Sequence, residues 1–397
     1  MRSLLTIGAL LLTATVAAAQ PAPWQPEGTT PGWTFTPGVV FGGAWDSNVT
    51  VQTAGEPQVS EWVGLVNPRG ELDYVGRQTR FTIGYSGSLE AYRRFNELNR
   101  YEQRGRLELR HQASTRLGFY ARGGLMLSPT TDRLDLGGES VPFVDVGSQL
   151  GNATAGATWK PSPRLVVDTS YRFQDVRFDE AESASFALLR GGYSHAPMAS
   201  VMYEASRRVA VGGSWQYQHA LVDDGLQTFD IQTTSGEVGY RIAETTTIRG
   251  GGGISYLHAT NGNLATSGPA VHASLNHTRG QAQLTVRYDR AFTPTYTFGG
   301  ITTNQSVSAN ARIGFARNRG YVSGGLSHGR TDPVQEIGLD FRTDSIWIDG
   351  AVGYSLTRWL RAEAFYDGSH QTSTARGNVD RTRVGIQFVT FKPVRIQ

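Results

Sequence analysis

Cysteine is absent from all 397 residues, so the chain has no disulfide scaffold and no thiol chemistry. Lysine is nearly absent: Lys160 and Lys392 are the two, and Arg supplies the rest of the 37 basic residues. A G+C-rich genome and an Arg-lined internal surface each explain that bias. The net charge, +3, is small for this length and its charges are scattered, which excludes the clustered basic patch of a nucleic-acid binder. No Pro-rich, Ser-rich or low-complexity tract divides the chain, so one continuous architecture is expected despite room for two or three domains. Beyond the first twenty residues no apolar run reaches the roughly 18 to 20 residues that a membrane helix needs. A helical period of 3.6 appears nowhere at length. If this chain enters a membrane, it enters by strands.

What is present begins with MRSLLTIGALLLTATVAAAQ. Arg2 is a short basic region, Leu4 to Val16 an apolar stretch, and Ala17, Ala18 and Ala19 a small-residue cleavage site. That order marks a secretory signal peptide over residues 1–19 rather than a buried N-terminal helix. Residues 20–32 are then expected to be an N-terminal periplasmic segment.

From Trp33 onward, segments of about ten residues alternate apolar with polar side chains, the period of a β-strand with two unlike faces. Eighteen such strands are predicted, from 33–45 through 184–194 and 281–291 to 381–392. Their connections alternate in length. GRQT, ASTR, PSPR, AETT, TRG, ARNRG and LTR are tight, whereas DSNVTVQTAGEPQ, SPTTDRLDLGGESVPFVDV, ATNGNLATSG, AFTPTYTFGGITT and GSHQTSTARGNVD are long. The stretch SHAPMASVMYEASRR, near 194–208, falls where a tight turn is due; a short periplasmic helix or a missed strand pair would account for it, and the latter would change the count, with sixteen strands the other possibility. Similar hairpins recur at 110–123, 158–173 and 353–367, as an up-and-down meander requires.

Alternation alone does not say which face is wet. In QAQLTVRYDR (281–290), Leu284, Val286 and Tyr288 oppose Gln283, Thr285, Arg287 and Asp289. A soluble sandwich buries the first set, while a membrane barrel turns it to lipid and encloses the second. Three features favour the barrel. Tyr74, Tyr85, Trp159, Tyr171, Tyr240, Tyr256, Tyr288, Tyr354 and Tyr366 recur near the ends of apolar faces, as an interfacial girdle would place them. Gly and Ala occupy many apolar-face positions, as in NATAGATW and RGGGGISY, which would underfill a sandwich core. A meander this long leaves open edges unless it closes. The expected fold is all-β, an antiparallel up-and-down transmembrane β-barrel of about eighteen strands over residues 33–397.

At this point the chain resembles bacterial outer-membrane β-barrel proteins, and more loosely the porin families found beside exopolysaccharide export systems. PGVVFGGAWDSNV (37–49) and DYVGRQTRFTIGYSGSLEAYRRF (73–95) carry the looser likeness. The resemblance implies the outer membrane of a Gram-negative-type bacterium, with outer-membrane lipid, the barrel assembly machinery and periplasmic polysaccharide-export proteins as partners. Such barrels often end on an aromatic residue that the assembly machinery recognises. This chain ends KPVRIQ, so Phe388 and Phe391 would have to serve.

Enzymatic and metal chemistry find little support. His272 and His277, five apart, lie on opposite faces of one strand and cannot share an ion. His111, His219, His258 and His328 fall near strand ends, which suits interfacial packing. The run GGGG at 250–253 lacks the Lys-Ser or Lys-Thr of a phosphate loop and sits inside a strand, where it would permit curvature or close approach of an inward loop. Asp132, Asp135 and Glu139 match no ordered calcium loop. No cofactor or metal is expected.

The remaining candidate site is the inward charge set: Arg106, Arg110, Arg122, Arg172, Arg241, Arg249, Arg287, Arg312, Arg361 and Arg383, against Glu108, Asp168, Glu237, Asp289, Asp349 and Glu363. These either pair across neighbouring strands and merely stabilise the wall, or leave unpaired Arg rows whose field favours anions or acidic sugars. Tyr120 and Trp347, on the same face, suit stacking on sugar rings. A porin-like channel for small polar or anionic solutes is expected, with no enzyme activity. A component of polysaccharide secretion is the alternative, and a barrel enzyme or adhesive barrel a second. The loop at 128–145 is expected to set the pore width.

Overall fold

Alternating sequence becomes strand after strand in a computed structural model that describes residues 31–131, 146–179, 189–223, 225–260, 264–297, 300–334, 342–374 and 377–396. The strands are β1 (Gly32–Asp46), β2 (Glu61–Val75), β3 (Thr79–Tyr92), β4 (Arg100–Gln112), β5 (Leu117–Ser128), β6 (Ser148–Ser162), β7 (Leu165–Phe178), β8 (Gly192–Glu204), β9 (Val209–Val222), β10 (Gln227–Ala243), β11 (Thr246–Ala259), β12 (Leu264–Arg279), β13 (Ala282–Thr295), β14 (Gly300–Phe315), β15 (Gly320–Pro333), β16 (Thr343–Ser355), β17 (Leu360–Ser373) and β18 (Gly377–Phe391). Each pairs antiparallel with its sequence neighbours. β1 pairs along its length with β2 and, from Gly38↔Phe391 to Asp46↔Arg383, with β18, so the sheet closes into an eighteen-stranded barrel. Past Pro393 a three-residue strand, β19 (Val394–Ile396), continues beside the foot of β1, where Trp33 faces Ile396. Closure leaves every long strand with two partners and removes the exposed edge that would invite aggregation.

The predicted boundaries hold to within a few residues at all strands but one. Strand eight, expected at 184–194, is Gly192–Glu204, so the segment SHAPMASVMYE that looked like an irregular connection is itself the strand. The residue that disguised it is Pro197, which has no N–H to give a ladder and reads as a strand breaker. The sheet accommodates it by interruption. Pro197 still faces Tyr171 of β7, but the β8–β9 register passes from His195↔His219 directly to Met198↔Gln216. The connection that follows is then a tight turn over residues 205–208, and the count stays at eighteen. The signal peptide and the acids Asp132, Asp135 and Glu139 lie outside the described residues.

Tight turns at one end share a local device. In ASTR the Ser114 hydroxyl accepts from the N–H groups of Arg116 (3.2 Å) and Leu117 (3.1 Å). Ser206 does the same for Arg208 and Val209 at 3.2 and 3.0 Å, and Thr357 for Trp359 and Leu360 at 3.2 and 3.0 Å. A short hydroxyl side chain thus satisfies turn donors that no strand can reach. An Arg lies within two residues after each hydroxyl (Arg116, Arg207 and Arg358), so each turn carries a cation at the barrel rim.

The four-glycine run lies within β11. A side chain at Gly251 would place its Cβ 2.3 Å from the His272 ring of β12 and 2.6 Å from the Gly236 carbonyl of β10. Close approach is therefore what Gly251 and Gly253 require, but of neighbouring strands rather than of a loop.

Candidate functional site

The β13 segment decides which face is wet. Gln283, Thr285, Arg287 and Asp289 line the barrel interior, while Leu284, Val286 and Tyr288 point outward, Tyr288 opposite the exposed Val307 of β14. The same sorting holds around the ring. Leu107, Phe119, Ile254, Ile348 and Ile386 are exposed on the outer surface, and Tyr85, Trp159, Tyr171, Tyr240, Tyr256, Tyr354 and Tyr366 stand among them. A charged interior inside an apolar, aromatic-studded wall is the arrangement of a membrane barrel and the reverse of a soluble sandwich.

Inside the wall runs a cavity of about 1900 Å³ that reaches the tight-turn end, where Arg77, Arg116, Arg207 and Arg208 border it. Its lining takes residues from seventeen Arg or Lys and only eight Asp or Glu. The field inside is accordingly positive. Of the predicted set, Arg110, Arg122, Arg172, Arg241, Arg249, Arg287, Arg383, Asp168, Glu237, Asp289 and Asp349 border this space. Some are paired as a wall-stabilising role requires: Arg110 donates to Glu108 at 2.7 Å, Arg122 lies 3.8 Å from the same carboxylate, and Arg249 lies 4.0 Å from Glu237. Arg106, on the same strand face, bridges to Glu71. Asp168 accepts hydrogen bonds from the Tyr120 hydroxyl (2.9 Å) and from Thr158 (2.6 Å), so Tyr120 is engaged with the wall. Arg172 and Arg241 have no carboxylate within ion-pair distance among the described residues, and Arg172 Nε is buried without a hydrogen-bond partner.

Two predicted arginines, Arg361 and Arg312, face inward without lining the cavity. Arg361 is 8% exposed and stacks at 5.3 Å from the Tyr321 ring and 5.9 Å from Phe391. Arg312 lies 3.8 Å above the same tyrosine, whose hydroxyl donates to the buried Glu363. Gln387 closes the group by donating to Glu363 at 2.5 Å. Arg383 borders the cavity but is largely buried in a second charged group, at the opposite end of the barrel. Its Nε reaches Asp46 at 2.8 Å and its Nη2 reaches Glu90 at 2.8 Å. Arg381 also binds Asp46, at 2.7 Å, and Tyr92 donates to Glu90 at 3.0 Å.

That second group anchors the long β1–β2 connection, the DSNV segment, inside the mouth. Asn48, fully buried, gives its amide to the carbonyls of Gln52 (2.8 Å) and Asp380 (3.0 Å), and its Oδ1 accepts from Gln52 N–H at 2.9 Å. Arg100 donates to the Val49 carbonyl at 3.2 Å, and Val51 packs against Val379 and Trp347. Trp347 is thus occupied by a loop of the chain itself. A motif that sequence reasoning used only as a mark of resemblance turns out to be a latch.

A second segment crosses the same mouth. The β12–β13 ladder ends at Val271↔Arg290, while β13 and β14 remain paired up to Thr295↔Gly300. Freed from β12, this hairpin tip leans across to β8, and the Tyr296 carbonyl accepts from the backbone N–H groups of Arg190 (3.2 Å) and Gly191 (2.8 Å). Tyr296 and Ile301 join Met126, Leu150, Val176, Val222, Phe229, Ile231 and Leu257 in an apolar cluster beneath the tip. The expectation that 128–145 sets the pore width falls on residues 132–145, outside the described residues. Among the described residues it is the β13–β14 tip that covers this part of the opening, a position that an alternating pattern does not announce.

His272 and His277 do face opposite sides: His272 lies 3.7 Å from Glu237 in the interior, and His277 bonds to Thr246 at 2.7 Å. Gly325-Leu326-Ser327-His328-Gly329 has the spacing of a nucleophile elbow. It lies in the middle of β15, without the sharp turn such an elbow needs. Ser327 and His328, adjacent on a strand, project to opposite faces, and His328 bonds to Asp344 at 2.8 Å. No group of three His, Asp or Glu side chains among the described residues is arranged to hold a metal.

No family model matches the chain, and no curated protein matches it. Solved structures to which it is similar include the outer membrane protein OpdK of Pseudomonas aeruginosa, at 11% identity and a TM-score of 0.44 over 90% of this chain and 99% of that one. OccAB4 of Acinetobacter baumannii is similar at 7% identity and 0.45, over 92% and 99%. OpdO of Pseudomonas aeruginosa is similar at 10% and 0.45, over 91% and 98%. At these values the likeness carries no inference about solute or mechanism.

Proposed function

We propose that this chain is an outer-membrane channel through which small anionic solutes pass by diffusion, without catalysis. The observation that carries the reading is the cavity itself: a water-sized path of about 1900 Å³ inside an apolar wall, bordered by twice as many cationic as anionic side chains. An eighteen-stranded barrel is in the size class that leaves an aqueous channel, and a positively lined constriction concentrates anions and repels cations. Arg172 and Arg241 are the residues assigned to selectivity, because neither is neutralised by a carboxylate partner. Arg110, Arg122, Arg249 and Arg287, with Glu108, Asp168 and Asp289, form the mixed wall between them.

The test is the reversal potential of the reconstituted protein under a salt gradient. Wild type is expected to prefer chloride over potassium. Arg172→Gln combined with Arg241→Gln should lower the permeability ratio several-fold, whereas Arg361→Gln, sealed beneath Tyr321, should leave it in place. Cation preference in the wild type would overturn the reading. The exporter alternative shares this positive interior, and no separate observation favours it.

A further inference from the structure

The charges of this barrel are sorted by end as well as by face. At the tight-turn end, Arg77 and Arg80 stand at the β2–β3 turn, Arg116 at the β4–β5 turn, Lys160 at the foot of β6, and Arg207 with Arg208 at the β8–β9 turn; all six border the cavity. Among the described residues none of the six has a carboxylate within 4.0 Å. Glu204 is the one lining acid on this arc that has no Arg or hydroxyl partner. Deeper in the lumen, by contrast, Arg and carboxylates bridge, as Arg104 and Arg383 do with Glu102 and Glu90; on the rim itself Arg110, opposite Arg80, bridges to Glu108. Ser114 and Ser206 fix the backbone of the turns that carry Arg116 and Arg208, so at these two turns it is the side chains that must order when an anion binds.

We propose that this rim is a capture site for a multivalent, linear anion approaching from the periplasmic side. The proposal rests on the channel reading for its orientation and goes beyond it by adding a second class of ligand. The arc runs from the β2–β3 turn to the β8–β9 turn, six strands at a lateral spacing of about 4.8 Å, so its cations are spread over roughly 30 Å. One small carboxylate can touch only one or two of them. A chain with a negative charge every few ångströms, such as a polyphosphate or a polyuronate, can touch all of them, and the release of its counterions favours binding and makes it salt-dependent, as for other polyanions on basic surfaces. Three other basic residues on this end are committed differently: Arg319 lies over Tyr354 at 5.3 Å, and Arg358 and Lys392 over Trp359 at 4.6 and 5.5 Å. Those belong to the outer girdle, not to the mouth.

The experiment measures one-sided block and direct binding together. Purified full-length protein is placed in a planar bilayer, with its orientation read from a single cysteine, Arg164→Cys, in this otherwise cysteine-free chain. Linear polyphosphate and polygalacturonate are added in turn to each side, with neutral dextran of equal length as control. In parallel, binding of fluorescent polyphosphate to the detergent-solubilised protein is followed by anisotropy. Both polyanions are expected to bind and to block from the periplasmic side alone. Raising the salt from 0.1 to 0.5 M should weaken binding at least tenfold, and the variant Arg77→Glu, Arg116→Glu, Arg207→Glu, Arg208→Glu should do the same while still showing heat-modifiable mobility. If dextran blocks equally, if the block comes from both sides, or if the variant binds as wild type does, the proposal is overturned. Binding without any conductance would overturn the channel reading and leave the capture site standing. Conductance without binding would do the reverse. Loss of co-purified anionic phospholipid from the variant, with polyphosphate binding unchanged, would assign the rim to lipid and also overturn the proposal.

Discussion

A single arginine type plays two roles here, and burial separates them. Arg383, with 11% of its side chain exposed, meets Asp46 and Glu90, while Arg106, with 53% exposed, meets Glu71 at the wall. Removing one member of a buried pair strands the other charge, at a cost of about 3–5 kcal/mol, whereas an exposed pair contributes roughly 0–1 kcal/mol. Asp46→Ala is therefore expected to lower markedly the temperature at which the fast-migrating folded form converts to the slow unfolded one on gels. Arg106→Gln should barely move it. Equal shifts in the two variants would contradict the division. Alternation assigns both arginines to the inward face, because a period of two fixes the face. It carries no sign of which is covered, since the cover on Arg383 comes from Asp46 and Glu90 on other strands.

At the scale of elements, strands were legible and what closes over them was not. Alternation located seventeen strands to within a few residues and misplaced β8, where Pro197 broke the local pattern although the neighbouring ladders carry it. The β13–β14 tip shows the same limit from the other side. AFTPTYTFGGITT reads as an exposed long loop, yet Thr295, Tyr296 and Thr297 are 3%, 1% and 0% exposed, because the ladder to β12 ends early and releases the hairpin inward. Tyr296→Ala removes the aromatic at the centre of that apolar contact, a change that in a packed core costs about 3–5 kcal/mol. A cysteine introduced by Thr297→Cys should resist hydrophilic maleimides in the wild-type background and react at least tenfold faster beside Tyr296→Ala, with a larger single-channel conductance. Rapid labelling in both backgrounds would show that the tip does not cover the mouth. The DSNV latch is expected to hold independently, since Asn48 and Asp46 are bonded to β18 and not to the tip.

For the molecule as a whole, closure is the main stabilising device. All of the long strands have partners on both sides, and in a bilayer each unpaired backbone group would cost several kcal/mol. Purified protein should thus migrate faster before boiling than after it; identical mobility, in a sample soluble without detergent, would contradict a membrane barrel. The most direct measurement of which side is wet uses the absence of cysteine. Single cysteines are placed in turn at 283 to 289 along β13, and each protein in its lipid vesicle is exposed to a charged, water-soluble maleimide. Labelling is predicted at 283, 285, 287 and 289, the positions of Gln283, Thr285, Arg287 and Asp289, and none at 284, 286 and 288. Labelling of Leu284, Val286 and Tyr288 positions instead, or of all seven alike, would contradict a water-filled lumen enclosed by an apolar wall.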